Sequence, residues 1–218
     1  MTDKRCFILL GFLVIMFLWP ATPCWARYRA IEWTIGSREN YPAYLTSEGV
    51  TIAVDPLYTD ALAAGVFDRK DMITRGIMPL GIIIYNDNDF PVKVDGLSIE
   101  LLHEKGGIKT MSPNEVVYRL FQRRTEWINR PIPPMPRSAL NENALDDFID
   151  KFMMDRTIGP KSASGGFLYL HIPASEDIVS FLSKALVYIP YIYRLDDGSR
   201  MIFFEIGLEA AVGDKMNR

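Results

Sequence analysis

Apolar and polar positions alternate along this chain in short runs broken by Gly, Pro, Asn and Asp, a rhythm of strands and turns. Val50-Thr-Ile-Ala-Val54 is a β-branched run between Glu48-Gly49 and Asp55-Pro56, and predicts a strand ending in a turn. Ile77 to Tyr85 is apolar almost throughout, which predicts a strand buried on both faces. Asn86-Asp-Asn-Asp89-Phe-Pro91 is a dense turn signal, and Val92-Lys-Val94 continues after it. Leu97, Ile99 and Leu101 have the two-residue period of a half-buried strand, turned at Lys105-Gly106-Gly107 into Ile108 to Met111. Further strands are predicted over 167–172, bounded by Gly165-Gly166 and Pro173, and over 185–193 and 201–208, joined by a hairpin turn at Asp196-Asp197-Gly198-Ser199.

Helical periods interrupt the strands. Thr59-Asp60 caps a predicted helix over 61–75, with Leu62, Val66, Phe67 and Ile73 as its buried stripe and Gly76 as its stop. Ser112-Pro113-Asn114-Glu115 has the cap, first-turn proline and glutamate of a helix start, with Val116, Leu120 and Phe121 as contacts. A helix over 143–157 places Leu145, Phe148, Ile149, Phe152 and Met153 on one face and turns Asp146, Asp147 and Asp150 to solvent. The fold class predicted is mainly β: an immunoglobulin-like antiparallel β-sandwich with two or three inserted helices.

The first 26 residues are of another kind. Lys4-Arg5 precede an apolar run from Cys6 to Trp19, and Pro20-Ala-Thr-Pro-Cys-Trp-Ala26 closes it with small residues. A basic start, a short apolar run and a small-residue end read as a signal peptide cut after Ala26. The run is short for a spanning helix, which needs about 20 residues, so an uncleaved anchor is the second reading. A lipoprotein at Cys24 is the third, disfavoured by Pro23. The predicted organisation is 1–26 signal peptide or N-terminal anchor, 27–47 extended lead-in, 48–212 one sandwich domain and 213–218 tail.

Cleavage leaves 192 of the 218 residues, enough for one domain with a proper core. Both cysteines, Cys6 and Cys24, leave with the signal, so no disulfide and no structural zinc site is expected. Loss of Asp3, Lys4 and Arg5 leaves 26 acidic and 22 basic side chains, a net charge near −4 that does not suggest nucleic acid.

Candidate chemistry is sparse. His103-Glu104 lacks the second histidine of a metalloprotease helix, because position 107 is Gly. His171, on a strand, has no nucleophile placed beside it by the sequence. Asn86 to Asp89 offers oxygens for calcium but lacks the loop glycine and distal glutamate of a calcium-binding hand, and reads as a turn. Asp146, Asp147 and Asp150 read as a solvated helix face, and glycoside hydrolysis needs carboxylates across a cleft. Gly165-Gly166 opens a strand, so it does not suggest a phosphate loop. No cofactor, metal or catalytic residue is expected. The 123–137 segment is the strongest binding candidate. Arg123, Arg124, Trp127, Arg130 and Arg137 are interleaved with four prolines between 131 and 136, the composition of interface centres and extended recognition segments. Its partner class is an envelope protein, an anionic polysaccharide or a lipid headgroup. The membrane enters only through an uncleaved N-terminal segment.

The order Gly49-Val-Thr-Ile-Ala-Val54, Val66-Phe67, Gly76-Ile-Met-Pro79-Leu80 running into Tyr85-Asn86-Asp-Asn-Asp89, Ser112-Pro113-Asn-Glu115-Val116 and Ser164-Gly165-Gly166-Phe167-Leu168-Tyr169 resembles a group of uncharacterised bacterial envelope proteins. The resemblance covers roughly residues 48 to 208 and implies an immunoglobulin-like sandwich outside the cytoplasm, with no catalytic residues to carry over. The function expected is a non-catalytic extracytoplasmic binding or assembly module of the cell envelope, exported to the periplasm or secreted. The alternatives are an extracytoplasmic hydrolase with a site assembled from sandwich loops, and a membrane-anchored structural subunit.

Overall fold

The computed structural model describes residues 28–104, 106–121, 142–172 and 177–215. In chain order its strands are β1 (Ala43–Ser47), β2 (Val50–Pro56), β3 (Ile77–Asn86), β4 (Val92–Val94), β5 (Glu100–His103), β6 (Gly106–Ile108), β7 (Thr110–Met111), β8 (Arg156–Ile158), β9 (Ser162–His171), β10 (Ala185–Ile189), β11 (Ile192–Arg194) and β12 (Phe204–Gly207). Its helices are α1 (Asp60–Ala64), α2 (Pro113–Phe121), α3 (Glu142–Asp150), α4 (Ile178–Leu182) and α5 (Glu209–Lys215).

The chain is mainly β, an antiparallel β-sandwich. One sheet runs β1-β2-β3-β9-β7; a second, β12-β10-β5-β6, and a third, β11-β4-β8, complete the strand pairing. β3 is the spine of the first sheet. It pairs with β2 from Val50↔Asn86 to Pro56↔Leu80 and with β9 from Ile77↔His171 to Asn86↔Ser162. Its even-numbered apolar residues, Met78, Leu80, Ile82 and Ile84, join the core shared with β4, β5, β10 and β12. Its odd-numbered residues face the other way: Ile77 joins a cluster with Phe67, Phe148, Phe167 and Tyr169, and Ile83 one with Tyr41 and Ala53, against which Trp33 packs. This double burial is why the run reads as apolar on both alternations.

Several predicted boundaries move. The helix predicted over 61–75 stops at Ala64. Gly65 follows, and the Asp60 carboxylate accepts from Ile73 N at 2.7 Å and Thr74 N at 3.3 Å, closing a loop where a longer helix would have run. The strand predicted from Leu97 begins at Glu100, because Asp95 accepts from Leu97 N and caps a short 3-10 turn over Gly96–Ser98. The 185–193 run is two strands in different sheets, broken at Pro190, which has no N–H for a ladder. The run predicted over 201–208 contributes only Phe204–Gly207 as a strand, which pairs with β10, and the turn after β11 is closed by the bridge Tyr193↔Arg200 and by Arg194 N donating to Ser199 O at 2.9 Å. The lead-in carries a strand of its own, β1, that pairs with β2 from Ala43↔Val54. Five α-helical segments are described, and α5 runs three residues into the predicted 213–218 tail.

The largest correction concerns α3. It spans Glu142–Asp150, not 143–157, and its buried face is rotated by one position. Ala144, Asp147 and Phe148 face inward with Lys151 just beyond, whereas Ile149 is 41% exposed. Phe152 and Met153 lie past the helix, where Met153 N donates to Phe167 O and Phe167 N donates to Lys151 O along the edge of β9.

Candidate functional site

The rotated face of α3 buries an ion pair. Lys151 Nζ donates to Asp147 Oδ1 at 2.5 Å, and the two residues are 8% and 7% exposed. Tyr28 donates to Asp147 Oδ2 at 2.6 Å, and Lys151 also donates to Val66 O at 3.0 Å. The ammonium lies 5.1 Å from the centroid of the Phe67 ring. Both charges are therefore paired and hydrogen-bonded, the condition for keeping them inside. Burial raises the Tyr28 phenol far above its ordinary range, and the hydrogen bond to the Asp147 carboxylate adds to this. Burial does the same to Tyr169, whose hydroxyl donates to Phe148 O.

This network secures the lead-in to the body. Trp33 packs on Phe167 with centroids 4.7 Å apart, Tyr85 donates to Gly36 O at 2.7 Å, and Arg38 holds Asp87 with two bonds of 2.8 and 3.0 Å. Burial pushes the Tyr85 phenol up to about 12. Gly165 gives Trp33 its place: a Cβ there would lie 3.2 Å from Trp33 Cη2 and 2.5 Å from Ile82 O. Gly166 does the same for the α3–β8 connection, since its Cβ would lie 2.9 Å from Met153 Cα. The glycine pair thus sits inside β9, not at its start, and marks two close approaches.

Between the lead-in and the end of α3 a cleft of about 400 Å3 opens to solvent, lined by Ala30, Ile31, Glu32, Trp33, Asp147, Asp150, Lys151, Arg156 and Gly165. Arg156 reaches it from β8. Its Nη2 donates to Phe152 O at 3.1 Å and Asp150 O at 3.4 Å, and its Nε is buried with no hydrogen-bond partner among the described residues. The sequence does not announce this cleft. Its residues come from four separate segments, and the only local signals were the Asp147/Lys151 spacing and the glycine pair.

The predicted candidates are dispersed. Arg123, Arg124, Trp127, Arg130 and Arg137 lie outside the described residues, as does the 1–26 segment; of the segment 27–47, residues 28–47 are described. Asp147 is not on the solvated face expected for it, while Asp146 and Asp150 are exposed. Asn86 points inward and donates to the carbonyls of Phe90, Ile158 and Gly159, Asp87 is held by Arg38, and Asp89 pairs with Lys161 at 3.1 Å. That is a turn whose side chains are spent on the protein itself. His103 stacks on Phe181 at 4.4 Å in the second sheet. His171 ends β9 in the first sheet, where burial, and then Arg119, lower its pKa against the opposing pull of Glu115. Among the described residues no group of three or more His, Cys, Asp or Glu is arranged to hold a metal ion, and no helix is long and apolar enough to cross a membrane.

No family model and no curated protein matches the chain. Solved structures similar to it at low identity include two proteins of Bacillus subtilis. The yjhA protein from Bacillus subtilis has a TM-score of 0.37 at 9% identity, covering 68% of this chain and 79% of that one. The ycdA protein from Bacillus subtilis subsp. subtilis str. 168 has a TM-score of 0.37 at 10% identity, covering 79% of this chain and 42% of that one. This chain thus spans less than half the length of the latter. The functional reading rests on this chain's own residues.

Proposed function

We propose that this chain is an exported, non-catalytic binding or assembly module of the bacterial cell envelope, built on an immunoglobulin-like variant of the sandwich. The observation that carries the reading is the pairing of an export-type N-terminus with a solvent-open, mixed-charge cleft beside Trp33. Such a cleft offers oriented polar groups and an aromatic surface, the usual equipment of a small-ligand site. Arg123, Arg124, Trp127, Arg130 and Arg137 are proposed as a second contact, to an anionic partner. The segment that carries them leaves α2 at Phe121 and enters α3 at Glu142. The test is cell fractionation with N-terminal sequencing. Arg27 as the first residue of periplasmic or secreted protein supports the reading, and cytoplasmic protein beginning at Met1 overturns it.

A membrane-anchored subunit is the second reading, favoured by one observation. Tyr28 is already packed into the body, so only residues 20–27 separate it from the apolar run that ends at Trp19. Eight residues reach at most about 28 Å. A retained anchor would therefore hold the body close to the bilayer, and the same sequencing would find Met1 in the membrane fraction.

A further inference from the structure

We propose that the Trp33 cleft binds a saccharide. The inference deepens the module reading and rests on it for the compartment. The cleft's volume, about 400 Å3, lies within the roughly 300–1,000 Å3 of small-molecule sites.

Charge narrows the ligand. Asp147 and Lys151 neutralise each other at 2.5 Å, leaving the carboxylates of Glu32 and Asp150 against the guanidinium of Arg156. A simple anion would meet two carboxylates, and a simple cation would meet Arg156. A neutral polyhydroxylated ring suits both signs at once, because each hydroxyl donates to a carboxylate and accepts from a guanidinium. Glu32 and Asp150 are exposed and make no ion pair among the described residues, so their oxygens are available to such hydroxyls.

Geometry points the same way. The carbonyls of Asp150 and Phe152 hold Arg156 Nη2 and so fix the plane of the guanidinium, while its Nη1 makes no hydrogen bond among the described residues. Trp33 is half-buried and held by Gly165 and Phe167, which presents an indole already ordered against the C–H face of a sugar ring.

The test titrates the exported protein, as purified from cells, with cellobiose and with N,N′-diacetylchitobiose, using calorimetry and tryptophan emission. Glycylglycine and citrate serve as zwitterionic and anionic controls. The expected result is saturable binding of at least one disaccharide and of neither control. Trp33→Ala, Glu32→Gln and Asp150→Asn should each weaken it by about tenfold, the loss of one stacking or charge-assisted contact. Glu32 and Asp150 are exposed, so their variants should melt like the parent, which separates lost binding from lost folding. The proposal is overturned if neither disaccharide saturates, if a control saturates instead, or if binding is unchanged in Glu32→Gln and Asp150→Asn. Such a failure with export and cleavage intact would leave the module reading standing. A cytoplasmic protein that binds the disaccharide would do the reverse.

Discussion

Tyr28 donates its phenolic hydrogen to Asp147 across 119 positions of sequence, at 2.6 Å between two buried side chains. The bond ties the first described residue to the inward face of α3 and completes the coordination of a buried charge. Its partner Lys151 closes the other side of the carboxylate.

Removing one member of the buried pair should be far more damaging than removing a surface charge. Lys151→Met or Asp147→Leu is expected to cost about 3–5 kcal/mol, because the remaining charge loses its partner. Tyr28→Phe should cost about 1.5–3 kcal/mol, the range for a hydrogen bond to a charged group. Urea denaturation of the three variants checks this, and a loss below 1 kcal/mol for Lys151→Met would show the pair to be dispensable.

The strand glycines should divide sharply under substitution. Gly166→Ala places a Cβ against Met153 Cα and 3.0 Å from Lys151 O, both backbone, and should destabilise by about 1–3 kcal/mol or more. Gly207→Ala meets nothing within 4 Å and should be neutral or slightly stabilising. Melting temperatures of the two proteins compare them directly, and equal melting would refute the close approach at β9.

Stability should fall slightly in mild acid through His171, whose solvent exposure keeps the effect small. Its folded pKa lies below the ordinary 6.5, so between the two values the unfolded chain binds more protons than the folded one. Folding free energy is therefore fully favourable above pH 6.5 and declines as the pH drops toward the folded pKa, below which the slope ends. A His171→Gln protein should lose that part of the pH dependence. An unchanged slope would assign it to other groups.

Replacing Arg123, Arg124, Arg130 and Arg137 together should leave the melting temperature close to that of the parent and weaken capture of envelope material in a pull-down. Undiminished capture would remove the proposed anionic contact.

Arg38 holds the Asp87 carboxyl below its usual range, so that pairing contributes above pH 3.8 and disappears as the pH falls through the folded value. Both side chains are substantially exposed, at 37% and 47%, and screening keeps the contribution small. An Asp87→Asn protein should accordingly match the parent at pH 7 within about 1 kcal/mol in a denaturant titration.

Much of the β framework was legible because it is written locally. The run 77–85 is short, rich in isoleucine and bounded by Gly76 and the Asn86–Pro91 turn, which favours a buried strand, and it forms β3. Asn86 to Pro91 turns because its side chains bond nearby backbone, and Ser112 caps α2 by accepting from Glu115 N at 3.2 Å. The buried face of α3 departs from the hydropathy pattern over 143–157 for a physical reason. Leu145, Ile149 and Phe152 outscore Asp147 and Lys151 in hydropathy, yet a charged pair can be kept inside when each charge is paired and hydrogen-bonded. Those bonds come from Tyr28 and from the Val66 carbonyl, neither of which is near in sequence.

The chain by itself therefore determined the mainly β class, the spine strand and the turns, through patterns set by residues within a few positions of one another. Only the tertiary structure decided which face of α3 is inside, that Gly165 and Gly166 are points of close approach, and that Glu32, Trp33, Asp150 and Arg156 share one cleft. Those relations depend on contacts across tens to more than a hundred residues, and local propensity holds no record of a partner that only folding brings near.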